Sequence, residues 1–143
     1  MPRIVLDTDV LVAAMLGAGT ANGLVTAVLE GRFEPLMGSA LYLEHEAVLR
    51  RSTLFARCRL SEAEREELFE IYLSRCRWTW IYFSWRPNLR DESDNHVVEL
   101  AVAGGAQAIV TRNKRHFVGA ELKFEKLAVL TPAECLKRTT WQP

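Results

Sequence analysis

Seven side chains offer oxygen ligands at positions where a fold can gather them. Asp7 and Asp9 follow the apolar run Ile4-Val5-Leu6, Asp91 and Asp94 follow the aromatic run from Arg77 to Phe83, Thr111 and Asn113 follow Ala108-Ile109-Val110, and Glu44 sits inside SALYLEHEAVLRR. In open parallel sheets ligands bind beyond the carboxyl ends of the strands, so polar residues directly after strands are the ones to examine. On a helical wheel Glu44 falls inside the arc of Ala40, Leu41, Ala47 and Val48, whereas Glu46 lies off that arc with Arg50 four residues on, a surface ion pair. Asp94 heads the apolar face Val97, Val98, Ala101; alone it also reads as helix-start charge compensation, with Asp91 or Ser93 as the cap. Clustered carboxylates repel one another and lose hydration, so a divalent cation is the natural compensation. Oxygen ligands without Cys or His suit Mg2+ or Mn2+, which can activate a water against a phosphodiester.

Positioning these residues requires strands alternating with helices. Arg3–Leu6 reads as a strand entering Asp7-Thr8, followed by a helix from Val10 to Leu16 and a second over Thr20–Glu30 with Gly31 as its stop. Phe33–Met37 is a second strand and Ala40–Arg51 a helix, while Ser61 with Glu64 forms a capping box for a helix reaching Cys76. Arg77–Phe83 reads as a strand, Pro87–Glu92 as a loop, and Ser93–Ala103 as a helix ending at Gly104-Gly105. Ala108–Val110 and Leu127–Leu130 complete the strands, and Thr131-Pro132 opens a closing helix. This order predicts an α/β fold with a central parallel sheet covered on both faces, and residues 1–143 as one undivided domain.

Composition narrows the class further. With 143 residues, 49% of them hydrophobic, the chain can bury a sizeable core, which excludes disordered, collagen-like and disulfide-stapled classes. No apolar run reaches the roughly 18 residues of a membrane span, so a cytoplasmic protein without a membrane partner is expected. Cys58, Cys76 and Cys135 form no close pair and read as small buried hydrophobes. The formal net charge of zero hides a bias, since 14 of the 18 basic residues are Arg. Arg50, Arg51, Arg57 and Arg59 share an acid-free stretch, while Arg75, Arg77, Arg86 and Arg90 interleave with Trp78, Trp80, Tyr82, Phe83 and Trp85. Arginine beside aromatics suits RNA, although the same alternation describes a buried strand.

Taken together, IVLDTDVLVAA, SALYLEHEAVLRR, RDESDNHVVELAVAGGAQAIVT and RNKRHF resemble, in that order, a PIN-domain nuclease, most closely the PIN-family toxin components of toxin–antitoxin operons (VapC-like). The resemblance implies a three-layer α/β/α PIN-like fold and an Mg2+/Mn2+-dependent ribonuclease acting on RNA, within a homodimer and blocked by a cognate antitoxin. It places Asp7, Glu44, Asp91 and Asp94 as the catalytic, metal-holding acids, with Thr8, Ser39, Asn95 and Thr111 as supporting polar residues. Two departures stand out: Asp9 occupies a position where the family usually has Asn, and Asn113 the fourth acidic position, where an amide brings no charge. Arg112, Lys114 and Arg115 beside the pocket are candidates for steering the RNA backbone.

Two other readings compete. IVLDTDVL also fits a haloacid-dehalogenase-like phosphatase with Asp7 as nucleophile and Asp9 as general acid. That chemistry needs a later acidic pair, and beyond Lys114 the only acids are Glu121, Glu125 and Glu134. A catalytically inactive PIN-fold binding protein is the other. His45, His96 and His116 lack zinc spacing and read as surface or satisfied histidines.

Overall fold

A computed structural model describes residues 1–81, 95–124 and 126–141, and of 121–123 the helical backbone. In chain order these form β1 (Arg3–Leu6), α1 (Thr8–Met15), α2 (Gly19–Leu29), β2 (Glu34–Met37), α3 (Ser39–Leu49), α4 (Glu62–Arg75), β3 (Arg77–Trp78), α5 (Asn95–Gly104), β4 (Ala108–Val110), a 3-10 turn (Lys114–Phe117), α6 (Val118–Lys123), β5 (Ala128–Leu130) and α7 (Pro132–Lys137). The local signals act as read. Ser61 and Glu64 close a capping box on α4, Thr131 caps α7 with Pro132 in its first turn, a cap that Glu134 completes as a box, and Gly105 at φ +67° ends α5 in the left-handed region.

All strand pairs are parallel, in the order β3-β2-β1-β4-β5. The chain walks from β1 to β2 to β3 in one direction, then returns across β1 to β4 and β5. Right-handed crossovers therefore place the two sets of connections on opposite faces, giving a three-layer α/β/α arrangement. Reversal occurs between β1 and β4, whose register pairs Leu6 with Val110, so both strands deliver their next residues, Asp7 and Thr111, to the same crevice. Ile4, Val5, Leu6, Leu36, Met37, Ile109 and Val110 are fully buried, which makes the crevice floor rigid. No single helix among the described residues is long and apolar enough to cross a membrane.

The structure corrects three expectations. The strand expected over Arg77–Phe83 is confined to Arg77 and Trp78, an edge pairing of two residues. Trp78 and Trp80 stay exposed, so the alternation does not mark a buried strand; Tyr82 and Phe83 lie outside the described residues. In α3 the buried positions are Leu41, His45 and Leu49, and Ala40 and Ala47 face solvent, so Glu44 flanks the inward face as a half-buried residue and does not lie in its middle. Of the two readings of the histidines, surface or satisfied, His45 takes the second: it is fully buried, with Nδ1 2.8 Å from the Thr8 hydroxyl. Of the cysteines only Cys135 is buried; Cys58 and Cys76 are partly exposed, and all three are free.

A Cβ added at Gly104 would run into Cδ1 of the fully buried Leu36 side chain and would crowd the Thr79 hydroxyl. Overpacking of this kind costs about 1–3 kcal/mol, more than the fraction of about 1 kcal/mol that alanine regains over glycine in a last helical turn. Gly104→Ala is therefore expected to lower the urea-unfolding free energy by about 1–2 kcal/mol; an unchanged midpoint would show that Leu36 has room to move.

Candidate metal centre at the switch point

Asp7 ends β1 and caps α1. Its backbone N–H continues the sheet pairing to the Val110 carbonyl at 2.9 Å, which fixes the Cα. Its Oδ1 accepts the Thr8 N–H at 2.9 Å and its Oδ2 the Thr111 hydroxyl at 2.9 Å. The residue is only 8% exposed, so a charged carboxylate here stands on these donors, the positive end of α1 and whatever cation it meets.

Thr8 joins this acid to a second one. Its hydroxyl donates to Glu44 Oε2 at 2.6 Å and lies 2.8 Å from His45 Nδ1, while Glu44 Oε1 faces His96 Nε2 at 3.7 Å. His96 first, then the Thr8 hydroxyl, outweigh burial and hold the Glu44 carboxyl below its ordinary value, so it is ionised at neutral pH. Burial pulls His45 down to about 4, leaving a neutral imidazole packed edge-on against Phe69. In the sequence His45 and His96 lack zinc spacing and stand beside acids on helices, which reads as surface or satisfied histidines; that neighbourhood is the local signal of their contacts with Thr8 and Glu44.

Asp9 serves the loop after β4. Its two oxygens accept the Arg112 backbone N–H at 3.3 and 3.1 Å, with the Thr111 hydroxyl at 3.4 Å from Oδ2. Burial outweighs these bonds and pushes the Asp9 carboxyl up. Asn113 N–H reaches the Thr111 hydroxyl at 3.0 Å, and the Asn113 amide contacts His116 Nε2 at 3.0 Å. Among the basic candidates Arg112 and Arg115 are exposed, but the Lys114 ammonium is held by Glu134 at 3.1 Å, tying the loop to the start of α7.

The remaining predicted residues are placed less completely. Asn95, the first residue of α5, is buried; Ser39, at the start of α3, is exposed, with no hydrogen bond to the acids among the described residues. Asp91 and Asp94 lie outside the described residues. Within those residues Asp7, Asp9, Thr111 and Glu44 give an all-oxygen donor set, although no three His, Cys, Asp or Glu side chains among them close into a metal-holding group. Hard oxygen donors fit Mg2+ or Mn2+ and do not fit a thiophilic ion.

A three-layer parallel α/β fold with a buried Asp7 and half-buried Asp9 and Glu44 at its switch point defines an α/β protein with an acidic, oxygen-lined centre. A family model described as a PIN domain matches residues 3–115, more than three quarters of the chain, and the chain belongs to the PIN domain family. Among solved structures it is similar to a chain of the Rickettsia felis VapBC2 complex bound to a DNA fragment from its promoter. There the TM-score is 0.57 at 14% identity over 90% of this chain and 98% of that one, a likeness of fold. No curated protein sequence matches the chain.

Proposed function

We propose that the chain is an Mg2+- or Mn2+-dependent endoribonuclease, the toxin of a type II toxin–antitoxin module, cytoplasmic, homodimeric and blocked by a cognate antitoxin protein. The observation that carries the reading is the buried Asp7, fixed by Thr8 and Thr111 and linked through Thr8 to an ionised Glu44. Membership of the PIN domain family supports a nuclease, and the likeness to a VapBC2 chain supports the partner protein.

Asp7, Glu44 and Asp94 would hold the ion, with Asp91 beside them or shared with a second ion. When bound, it would supply Lewis-acid activation of water and charge compensation at phosphorus. The chain's own residues do the rest. Thr111 turns the Asp7 carboxylate toward the crevice, Asp9 pins the Arg112 backbone so that the basic loop borders it, and Arg112 and Arg115 offer exposed cations to the phosphates. Lys114, engaged by Glu134, braces that loop.

The test is cleavage of mixed-sequence single-stranded RNA by purified, antitoxin-free protein in Mg2+, Mn2+ or EDTA. The expected result is a cut that requires either metal. Metal-independent cleavage, or folded protein that leaves RNA intact but hydrolyses a small phosphomonoester, would replace this reading with contamination or with the phosphatase.

A further inference from the structure

We propose that His45, acting through Thr8, is a positioning residue that sets the spacing and orientation of the Asp7 and Glu44 carboxylates. The Thr8 hydroxyl has one proton and two close neighbours, Glu44 Oε2 at 2.6 Å and His45 Nδ1 at 2.8 Å. A carboxylate can only accept, so the proton points at Glu44, and the Thr8 oxygen can offer His45 only a lone pair. Nδ1 of His45 must therefore carry the imidazole hydrogen. Its Nε2, fully buried beside Phe69 and without a hydrogen-bond partner among the described residues, is then a bare acceptor, which a protein interior tolerates more readily than an orphaned N–H.

The direction of this relay matters because of where Thr8 stands. Its backbone N–H holds Asp7 Oδ1 while its hydroxyl holds Glu44 Oε2, so one residue at the first position of α1 touches both acids. His45, anchored in the core face of α3, stops that hydroxyl from rotating away. His96 meets the other Glu44 oxygen, so the carboxylate is approached from α1 on one side and α5 on the other. A buried histidine that touches neither RNA nor ion thus fixes the distance between two acids.

The role in ion binding rests on the metal reading above; the relay itself does not. In the full chain, long-range 1H–15N spectra should show His45 as the Nδ1–H tautomer at neutral pH, its signals assigned by their loss in His45→Asn. Titration with Mn2+ alone should show His45→Leu binding roughly 10–100-fold more weakly, the usual scale for removing a group that orients a ligand. His45→Asn, whose amide N–H can take the place of Nδ1–H, should bind close to the wild type, and His45→Leu should add little to Thr8→Val. An Nε2–H tautomer overturns the proposal, as does a folded His45→Leu protein with wild-type Mn2+ affinity. If the leucine variant fails to fold, the tautomer in the unaltered chain decides. Wild-type protein in the Nδ1–H form that binds no Mn2+ would sink the metal reading and leave the relay standing.

Discussion

Asp7→Asn should reduce metal-dependent RNA cleavage by about 10²-fold or more, the scale at which loss of one electrostatic partner of a reacting centre is felt, while the fold survives. The two halves of that expectation come from different atoms of the same side chain. Asparagine is as good an N-cap as aspartate, and its oxygen can still accept the Thr8 N–H that opens α1, while the backbone bond to Val110 is untouched. The Thr111 hydroxyl can turn its proton to Asp9 Oδ2, already 3.4 Å away, and accept from the new amide. What asparagine cannot supply is the negative charge, buried to 8% exposure beside an ionised Glu44. Cleavage rates and thermal unfolding measured on the same preparation separate the effects. Wild-type cleavage by Asp7→Asn would remove Asp7 from the reaction, and a collapsed melting temperature would mean that the charge serves the fold.

Much of this centre is legible in the sequence where the governing bonds are local. Asp7 directly after an apolar run, Thr111 after another, the Ser61/Glu64 box and the Thr131-Pro132 cap all depend on neighbours within a few residues or on strand order, and each stands where the pattern places it. The expectations that fail turn on which surface meets which. Leu41, Tyr42 and Leu43 are consecutive apolar residues, so a wheel drawn on α3 admits several inward arcs; packing against α1 and α5 selects the one through His45 and moves Glu44 to its flank. Edge position has the same character. Arg77-Trp78 pairs with Leu36-Met37 on one side and is the edge of the sheet among the described residues, and nothing in alternating aromatics distinguishes that from an interior strand. The 3-10 turn and α6 have no apolar period long enough to announce them.

Asp9 shows how a departure from the family pattern finds a physical use. The resemblance left open whether the extra acid alters metal preference or substitutes one short polar side chain for another. Both of its oxygens face the Arg112 backbone N–H, a bond an asparagine oxygen would also accept, and burial raises its carboxyl so that the proton costs less to add than at an exposed aspartate. The geometry favours substitution: the residue holds the loop that carries Arg112 and Arg115 against the crevice.

That loop and the acid meet at a single hydroxyl, which makes Thr111→Val the second large effect. Thr111 is fully buried, donates to Asp7 Oδ2 at 2.9 Å and accepts from the Asn113 N–H at 3.0 Å, so valine, of the same shape, removes nothing but the oxygen. A buried carboxylate oxygen then loses one donor and a half-buried backbone N–H loses its acceptor, each loss worth up to about 1–3 kcal/mol. Solvent entering from the exposed Arg112 side can repair part of this, so the expected loss in urea-unfolding free energy is about 1–3 kcal/mol. Cleavage should fall roughly 10–100-fold, as for other residues that orient a ligating group. Thr111→Ser keeps the oxygen and should restore most of both. If valine and serine behave alike, the methyl group and not the hydroxyl is what β4 needs at that position, and Asp7 is held without help from Thr111.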